Sequence, residues 1–249
     1  MRTANPALGS KTFTSLPAAY DDKSTMTIEG TVNKTGVLLL LVILGAVWTW
    51  RLFYNSNGDP ASVMGWMMLG VIGGLIVALI TIFKKEYSPV TAPIYALLEG
   101  LFLGGISALF EAQYHGIVIQ AVGLTFGTLF ALLFAYKSGI IKATENFKLG
   151  VVAATGGIFL VYFATFILSL FKIQVPFIYQ SGIIGIGFSL FVVVIASLNL
   201  VLDFDFIETG AERGAPKYME WYGAFGLMVT LIWLYIEILR LLALLRGRD

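Results

Sequence analysis

Residues 36–50 read GVLLLLVILGAVWTW, a stretch without a charged residue or a proline. Such a run is typical of a helix that crosses a membrane, because the hydrocarbon core of a bilayer needs about 20 apolar residues per crossing. The rest of the chain has the same character. Of its 249 residues, 58% are hydrophobic and only 12% are charged, whereas about 25% are charged in a typical soluble domain. The composition predicts an integral membrane protein and excludes a water-soluble enzyme.

Seven apolar runs follow one another along the chain. They cover about 36–54, 62–83, 91–110, 116–136, 149–171, 180–204 and 222–245. The runs are continuously apolar rather than alternating, which excludes the strands of a membrane barrel, and helices then satisfy the backbone inside lipid. The sequence predicts an all-α membrane protein with seven transmembrane helices over 36–249. Residues 1–35 are more polar and are predicted to form a flexible, cytoplasmic tail, and the longest connection is expected from Phe206 to Trp221.

The distribution of Lys and Arg sets the expected orientation. With a cytoplasmic N-terminus, eleven of the sixteen basic residues lie on the cytoplasmic side and five on the other side. The positive-inside rule favours this orientation. Arg240, Arg246 and Arg248 conflict with it, because they lie near or beyond the far end of the seventh run. A shallow or re-entrant last helix would return them to the cytoplasm and stays open as an alternative.

Composition and motifs exclude several functions. A net charge of +1 leaves no basic surface for nucleic acid. The chain has no cysteine and its only histidine is His115, which excludes thiolate chemistry and a zinc site built on several histidines. No nucleophile or nucleotide-binding motif is present. We therefore expect no enzymatic activity and no cofactor, and we expect the bilayer, a cation such as calcium and a further membrane protein as partners.

Glycines recur within three of the runs, mostly at spacings of three or four residues. They are Gly70, Gly73 and Gly74, then Gly100, Gly104 and Gly105, then Gly182, Gly185 and Gly187. Small residues on one face of a helix let backbones approach closely in a membrane. We expect these glycines to pack helices together.

Four acidic residues lie within or at the edges of the apolar runs: Glu99, Asp203, Asp205 and Glu237. An ionised group inside hydrocarbon costs about 2.5–3.5 kcal/mol or more, so such residues mark candidate functional sites. No lysine lies deep in any run. The membrane interior is thus rich in acids and poor in bases, which favours a site for a proton or a cation over a site for an anion.

Two of these acids sit well inside their runs. Glu237 is expected either to pair with Arg240, three residues later on the same helix face, or to face another helix and share a proton or a cation with a second acid. Glu99 has no expected partner on its own helix. It is therefore predicted to be protonated, to hydrogen-bond across helices or to lie in a wet cavity.

Asp203 and Asp205 are placed at the end of helix six. Residues two apart on a helix point about 200° apart, so the two cannot face the same partner. One interpretation is that they are solvated acids at a helix end. The other is that Asp203 faces inward and meets Glu237. Two carboxylates in contact repel each other, share a proton over a range of pH and separate when both are ionised, and their oxygens also suit calcium.

Three stretches, in this order along the seven runs, resemble the Bax inhibitor-1 family. They are LEGL at 98–101, LDF at 202–204 and LYIEILRLL at 234–242, and GAPKYMEWY at 214–222 resembles a bacterial branch of it. The resemblance, which covers about 36–245, implies a last helix wrapped by the other six and a pH-dependent leak for cations, chiefly calcium. It carries the pH-sensing pair of helices six and seven over to Asp203 and Glu237. It also implies a bacterial inner membrane.

The chain departs from the pattern of this family in three places. Glu237 stands where aspartate is usual, and 64–83 contains no arginine to pair with the acids. The link between Asp203 and Glu237 is also long, and in a straight hairpin it gives a depth mismatch of about 21 Å. Three other functions stay open: a non-conducting protein that modulates membrane proteases or other complexes, a proton-coupled transporter and an intramembrane enzyme.

Overall fold

The computed structural model describes residues 25–172 and 182–247. Within these residues, seven helices are long and apolar enough to cross a bilayer. They are α1 (Ile28–Asn55), α2 (Ala61–Phe83), α3 (Ser88–Gln113), α4 (Ile117–Lys137), α5 (Glu145–Leu170), α6 (Ile183–Glu212) and α7 (Met219–Arg246). A short 3₁₀ turn, Lys85–Tyr87, precedes α3. The predicted architecture of seven membrane helices is confirmed.

Helix α1 begins eight residues before the apolar run that predicted it. Thr27 caps the helix, because its Oγ1 accepts a hydrogen bond from the backbone N–H of Gly30 at 3.0 Å. Glu29 places a negative charge in the first turn, where the helix dipole favours it. Residues 28–35 are therefore helical and do not belong to the predicted tail. The rest of that prediction falls mainly on residues 1–24, which lie outside the described part of the chain.

Helix α6 extends past its apolar run, from the expected end near Phe204 to Glu212. In this extension Phe206 is buried, whereas Glu208 and Glu212 are exposed. An amphipathic turn of this kind lowers the hydropathy without ending the helix. The predicted long connection over 206–221 is therefore wrong, and α6 and α7 are joined by residues 213–218 only.

The chain divides into two compact units. The α1–α3 unit contains these three helices together with 205–229, and the α4–α5 unit contains those two helices together with the described residues of α6 up to 204 and of α7 from 230. Helix α7 is the most buried of the seven: 61% of an apolar 18-residue stretch of this helix is buried, against 17–44% in the other helices. The wrapping of α7 by all six other helices stays a prediction.

Glycines bring α1 and α2 into backbone contact with α3. A Cβ atom on Gly70 of α2 would lie 2.5 Å from a carbonyl oxygen of α3, and one on Gly104 of α3 would overlap the carbonyl oxygen of Ala46 in α1. The packing role predicted for these two glycines is confirmed. By contrast, a Cβ on Gly187 in α6, or on Gly182 just before that helix, would meet no described atom within 4 Å.

Three points of the chain meet at one end of the α1–α3 unit. The backbone N–H of Met26, just before α1, donates to the carbonyl of Ala215 at 2.6 Å. The hydroxyl of Ser88, the first residue of α3, donates to the carbonyl of Tyr218 at 2.9 Å. In a chain that crosses the membrane seven times, the start of α1, the start of α3 and the α6–α7 connection lie on the same side. These contacts agree with seven alternating crossings, whichever side is cytoplasmic.

Candidate functional site

Glu237 lies inside α7 with 5% of its surface exposed. Its Oε1 accepts a hydrogen bond from the hydroxyl of Tyr162 in α5 at 2.7 Å. Its Oε2 accepts a hydrogen bond from Nε of Arg240 at 3.0 Å, and Nη2 of the same arginine lies 2.8 Å from Oε2 as an ion pair. The i,i+3 pairing of Glu237 with Arg240 is therefore present. Charge-assisted bonds of this kind are stronger than bonds between neutral groups.

Two aromatic rings complete the surroundings of Arg240. Its guanidinium carbon lies 5.5 Å from the ring centre of Tyr162 and 5.8 Å from that of Phe188 in α6. The two rings meet edge to face, with their centres 5.9 Å apart. Cations are attracted to aromatic faces, most strongly away from water. Side chains of α5, α6 and α7 thus surround one ion pair. We call Glu237, Arg240, Tyr162 and Phe188 the Glu237–Arg240 cluster.

Asp203 and Asp205 occupy different faces of α6, as their spacing predicts. Asp203 is fully buried, whereas Asp205 is half-buried. One turn before Asp203, the amide of Asn199 donates to Oγ1 of Thr155 in α5 at 2.9 Å. This part of α6 therefore faces protein and carries polar groups. Since α6 continues to Glu212, the interpretation of Asp203 as a solvated acid at a helix end is wrong.

The depths of the two predicted partners differ less than the sequence implied. Asp203 lies nine residues before the end of α6, and Glu237 lies eighteen residues after the start of α7. At 1.5 Å per residue the distances to the helix ends are about 14 Å and 27 Å, so the mismatch in a straight hairpin falls to about 13 Å. Both residues belong to the α4–α5 unit. A direct contact between Asp203 and Glu237 stays a prediction.

Glu99 lies near the middle of α3 and is half-buried. Its carboxyl group forms a hydrogen bond with the side chain of Tyr95, one turn earlier. The same carboxyl group approaches α2 at Gly74, where a Cβ atom would lie 2.7 Å from Oε1. The expectation that no residue of α3 pairs with Glu99 is therefore wrong, because a tyrosine four residues earlier lies on the same helix face.

Glu220, in the first turn of α7, is a buried acid that the search of the apolar runs missed. It is fully buried and accepts hydrogen bonds from the backbone N–H and the hydroxyl of Thr27, at 2.9 and 2.8 Å. It also forms ion pairs with Lys34, and with Lys217 at 2.8 Å. The available sequence signal was the i,i+3 spacing of Lys217 and Glu220. We call these four residues the Glu220 cluster.

The family comparison matches almost the whole chain. A family described as Bax inhibitor 1 like matches residues 5–247. The chain belongs to the Bax inhibitor 1 like family. Comparisons with curated proteins and with solved structures gave no match. The resemblance inferred from short stretches of sequence is thereby confirmed, and it extends to all seven helices.

In this Bax inhibitor 1 like protein, the cation beside Glu237 comes from the same helix, α7. Helix α2 contains no arginine or lysine between Ala61 and Phe83. The helix-two arginine that the resemblance leads one to expect is therefore absent, and Glu237 pairs with Arg240, three residues later in α7.

The described residues offer few ligands for a resident metal ion. Calcium takes six to eight oxygen ligands in proteins. Among residues 25–172 and 182–247, no group of three or more acidic or histidine side chains has the arrangement of a metal site. Asp203 and Glu237, the predicted calcium ligands, are two carboxylates, so any calcium they meet would keep several waters or backbone ligands.

Proposed function

We propose that this Bax inhibitor 1 like protein is a pH-sensitive calcium leak channel, gated by the protonation of Asp203 and Glu237. The observation that carries the proposal is the Glu237–Arg240 cluster. Glu237 is 5% exposed and is paired with an arginine. Both residues belong to a helix that is otherwise apolar enough to cross a membrane. Ionisable groups inside membrane helices are costly and commonly mark ion or proton pathways.

The proposed gate depends on the sum of three charges. Asp203 and Glu237 can each carry one negative charge, and Arg240 carries one positive charge. A single proton shared by the two acids brings the sum of the three to zero. When that proton leaves at higher pH, the sum becomes −1 in a low-dielectric region. The two ionised acids then repel each other, which loosens the packing of α6 and α7, and the negative sum attracts cations.

The proposal is tested by calcium flux into proteoliposomes that contain only this protein. The scan runs from about pH 5 to about pH 8, a range that covers the titration of buried carboxyl groups. We expect the flux of the wild-type protein to rise with pH. Asp203→Asn removes one of the two acids, so the sum of charges cannot become negative, and this variant is expected to give low flux at every pH.

Glu237→Gln and a matched control sharpen this test. Glu237→Gln removes one negative charge, so Asp203 and Arg240 together never reach a negative sum, and the flux is expected to stay low without a pH response. Glu212→Gln makes the same chemical change at an exposed position of α6 and is expected to leave the flux curve unchanged. A pH response that survives both Asp203→Asn and Glu237→Gln would refute the gate. Folded wild-type protein without flux at any pH would refute the channel and favour the non-conducting, partner-binding function.

A further inference from the structure

The Glu220 cluster joins two segments that are 193 residues apart in the chain. The buried carboxylate of Glu220 receives both hydrogen bonds of Thr27, the N-cap residue of α1. Lys34, two turns further along α1, pairs with its second oxygen, and Lys217 approaches it from the α6–α7 connection. One acid therefore holds the first turn of α7 against the first two turns of α1.

Backbone contacts reinforce the same junction. Thr25 and Pro216 form an isolated antiparallel bridge. A Cβ atom on Gly30 would overlap the carboxylate of Glu220, so glycine is needed at that position of α1 for the acid to fit. The side chain of Lys34 also lies over the ring of Trp221, 5.6 Å from its centre. The junction is thus closely packed. Among the four residues of the Glu220 cluster, Glu220 is the only one with a negative charge.

We propose that the Glu220 cluster is an anchor that restrains α7, and that its release raises the calcium leak. The second half of this inference rests on the proposed function, whereas the first half does not. Glu220 and Glu237 lie on one continuous helix, seventeen residues or about 26 Å apart. A restraint on the first turn of α7 therefore limits the tilting and sliding of the helix that carries Glu237, and packed helices move largely as rigid bodies.

The charges explain why the anchor can open without unfolding the helices. Glu220 neutralises Lys34 and Lys217, which approach the same carboxylate from two different segments. If the negative charge is lost, two lysines remain close together and repel each other. Helices α1 and α7 keep their own backbone hydrogen bonds, so the expected response is separation of the two segments at the junction.

The rate at which an engineered disulfide forms across the junction tests the anchor without any measurement of flux. The chain has no cysteine, so Thr25→Cys with Pro216→Cys introduces one unique pair. Residues opposite each other in an antiparallel bridge have Cα atoms about 4.5–5.5 Å apart, a separation that suits a disulfide. In membrane vesicles under mild oxidation, we expect Glu220→Gln to slow the formation of this disulfide several-fold. Glu212→Gln is the matched control and should leave the rate unchanged. Equal rates with Glu220 and with Gln at position 220 would overturn the anchor.

Flux through the same variants tests the second half of the inference. We expect Glu220→Gln to raise calcium flux several-fold at about pH 5, where the proposed gate of the wild-type protein is closed. Closing the 25–216 disulfide in the Glu220→Gln variant should return the flux to the low level, and reduction should raise it again. Slower disulfide formation with unchanged flux would overturn the control of the leak by the anchor.

Two further outcomes separate this inference from the proposed function. Wild-type protein that conducts no calcium would refute the channel and the gating half, while the disulfide rates would still decide the anchor. If Glu220→Gln does not give folded protein, Lys217→Gln removes one cation contact of the carboxylate at a half-exposed position. It is expected to change the disulfide rate in the same direction by a smaller factor, and no change in that rate would overturn the anchor.

Discussion

Replacing Arg240 with methionine isolates the energetic role of the Glu237–Arg240 cluster. Methionine keeps a long apolar side chain beside Tyr162 and Phe188 but removes the guanidinium group. Glu237 would lose contacts of 3.0 and 2.8 Å on Oε2 and keep only the hydroxyl of Tyr162 from the contacts described above. The carboxylate is 5% exposed, so water replaces little of what it loses.

The expected losses of stability are unequal. Removing one partner from a buried ion pair costs about 3–5 kcal/mol, because the other charge is left uncompensated. We therefore expect Arg240→Met to lower the free energy of unfolding by about that amount. Glu237→Gln should cost less, because the side chain of Arg240 is 17% exposed and its long stem can carry the charge toward water. The double variant should be more stable than Arg240→Met alone, with a coupling of about 2–3 kcal/mol.

Equilibrium unfolding of the purified protein in detergent measures these differences. Trp233, which packs against the core of the α4–α5 unit, provides a fluorescence signal near the cluster. Arg246→Met is the matched control on the same helix, since Arg246 forms an exposed contact with Gln120, and its effect should be much smaller. The argument fails if Arg240→Met is no more destabilising than Arg246→Met, or if the effects of Arg240→Met and Glu237→Gln are additive.

Three further predictions address packing, the cluster and topology. Gly104→Ala should lower the free energy of unfolding by about 1–3 kcal/mol, because it overpacks α3 against α1. Gly123→Ala should leave it unchanged, because a Cβ there meets no described atom within 4 Å. The same unfolding experiment compares the two variants. Tyr162→Phe should lower the free energy of unfolding by about 1.5–3 kcal/mol, because its hydrogen bond to the carboxylate of Glu237 is lost while the ring remains. An unchanged free energy of unfolding would contradict this hydrogen bond. With a cytoplasmic N-terminus, an impermeant thiol reagent should label Asn57→Cys but not Lys142→Cys in intact cells, and the reverse pattern would invert the topology.

Hydropathy predicted the number of helices well and two of their ends poorly. Seven runs suffice to count the helices, because a bilayer imposes a minimum apolar length on each crossing. Thr27 starts α1 by a local capping bond, and Glu212 ends α6 after an amphipathic turn. Neither event changes the average hydropathy in a way that marks a helix end. Ends of membrane helices that leave the lipid therefore require the capping and amphipathic signals of soluble proteins.

Helix spacing predicted one pair within a helix and missed another, Glu99 with Tyr95. The spacing of Glu237 and Arg240 predicted their ion pair, since residues three apart share a face. Tyr162 and Phe188 could not be assigned to the cluster, because lipid-facing and protein-facing sides of a membrane helix are both apolar. The sequence then gives little information on which side turns inward. Glycine spacing identified the contacts of α2 with α3, yet Gly182 and Gly187, from the third glycine group, mark no close approach among the described residues.

The ion pairs also change the weight of the charges used to predict orientation. Arg240 is one of the five basic residues opposite a cytoplasmic N-terminus, but its guanidinium group contacts Glu237 and lies near two aromatic rings inside the α4–α5 unit. It is therefore not a residue of the terminal loop, where the positive-inside rule applies. Lys34 and Lys217, counted on the cytoplasmic side, are held together at one end of the α1–α3 unit by Glu220. Leaving out Arg240 alone changes the count from eleven against five to eleven against four. A cytoplasmic N-terminus stays a prediction, and its conflict at the C-terminus is reduced to Arg246 and Arg248.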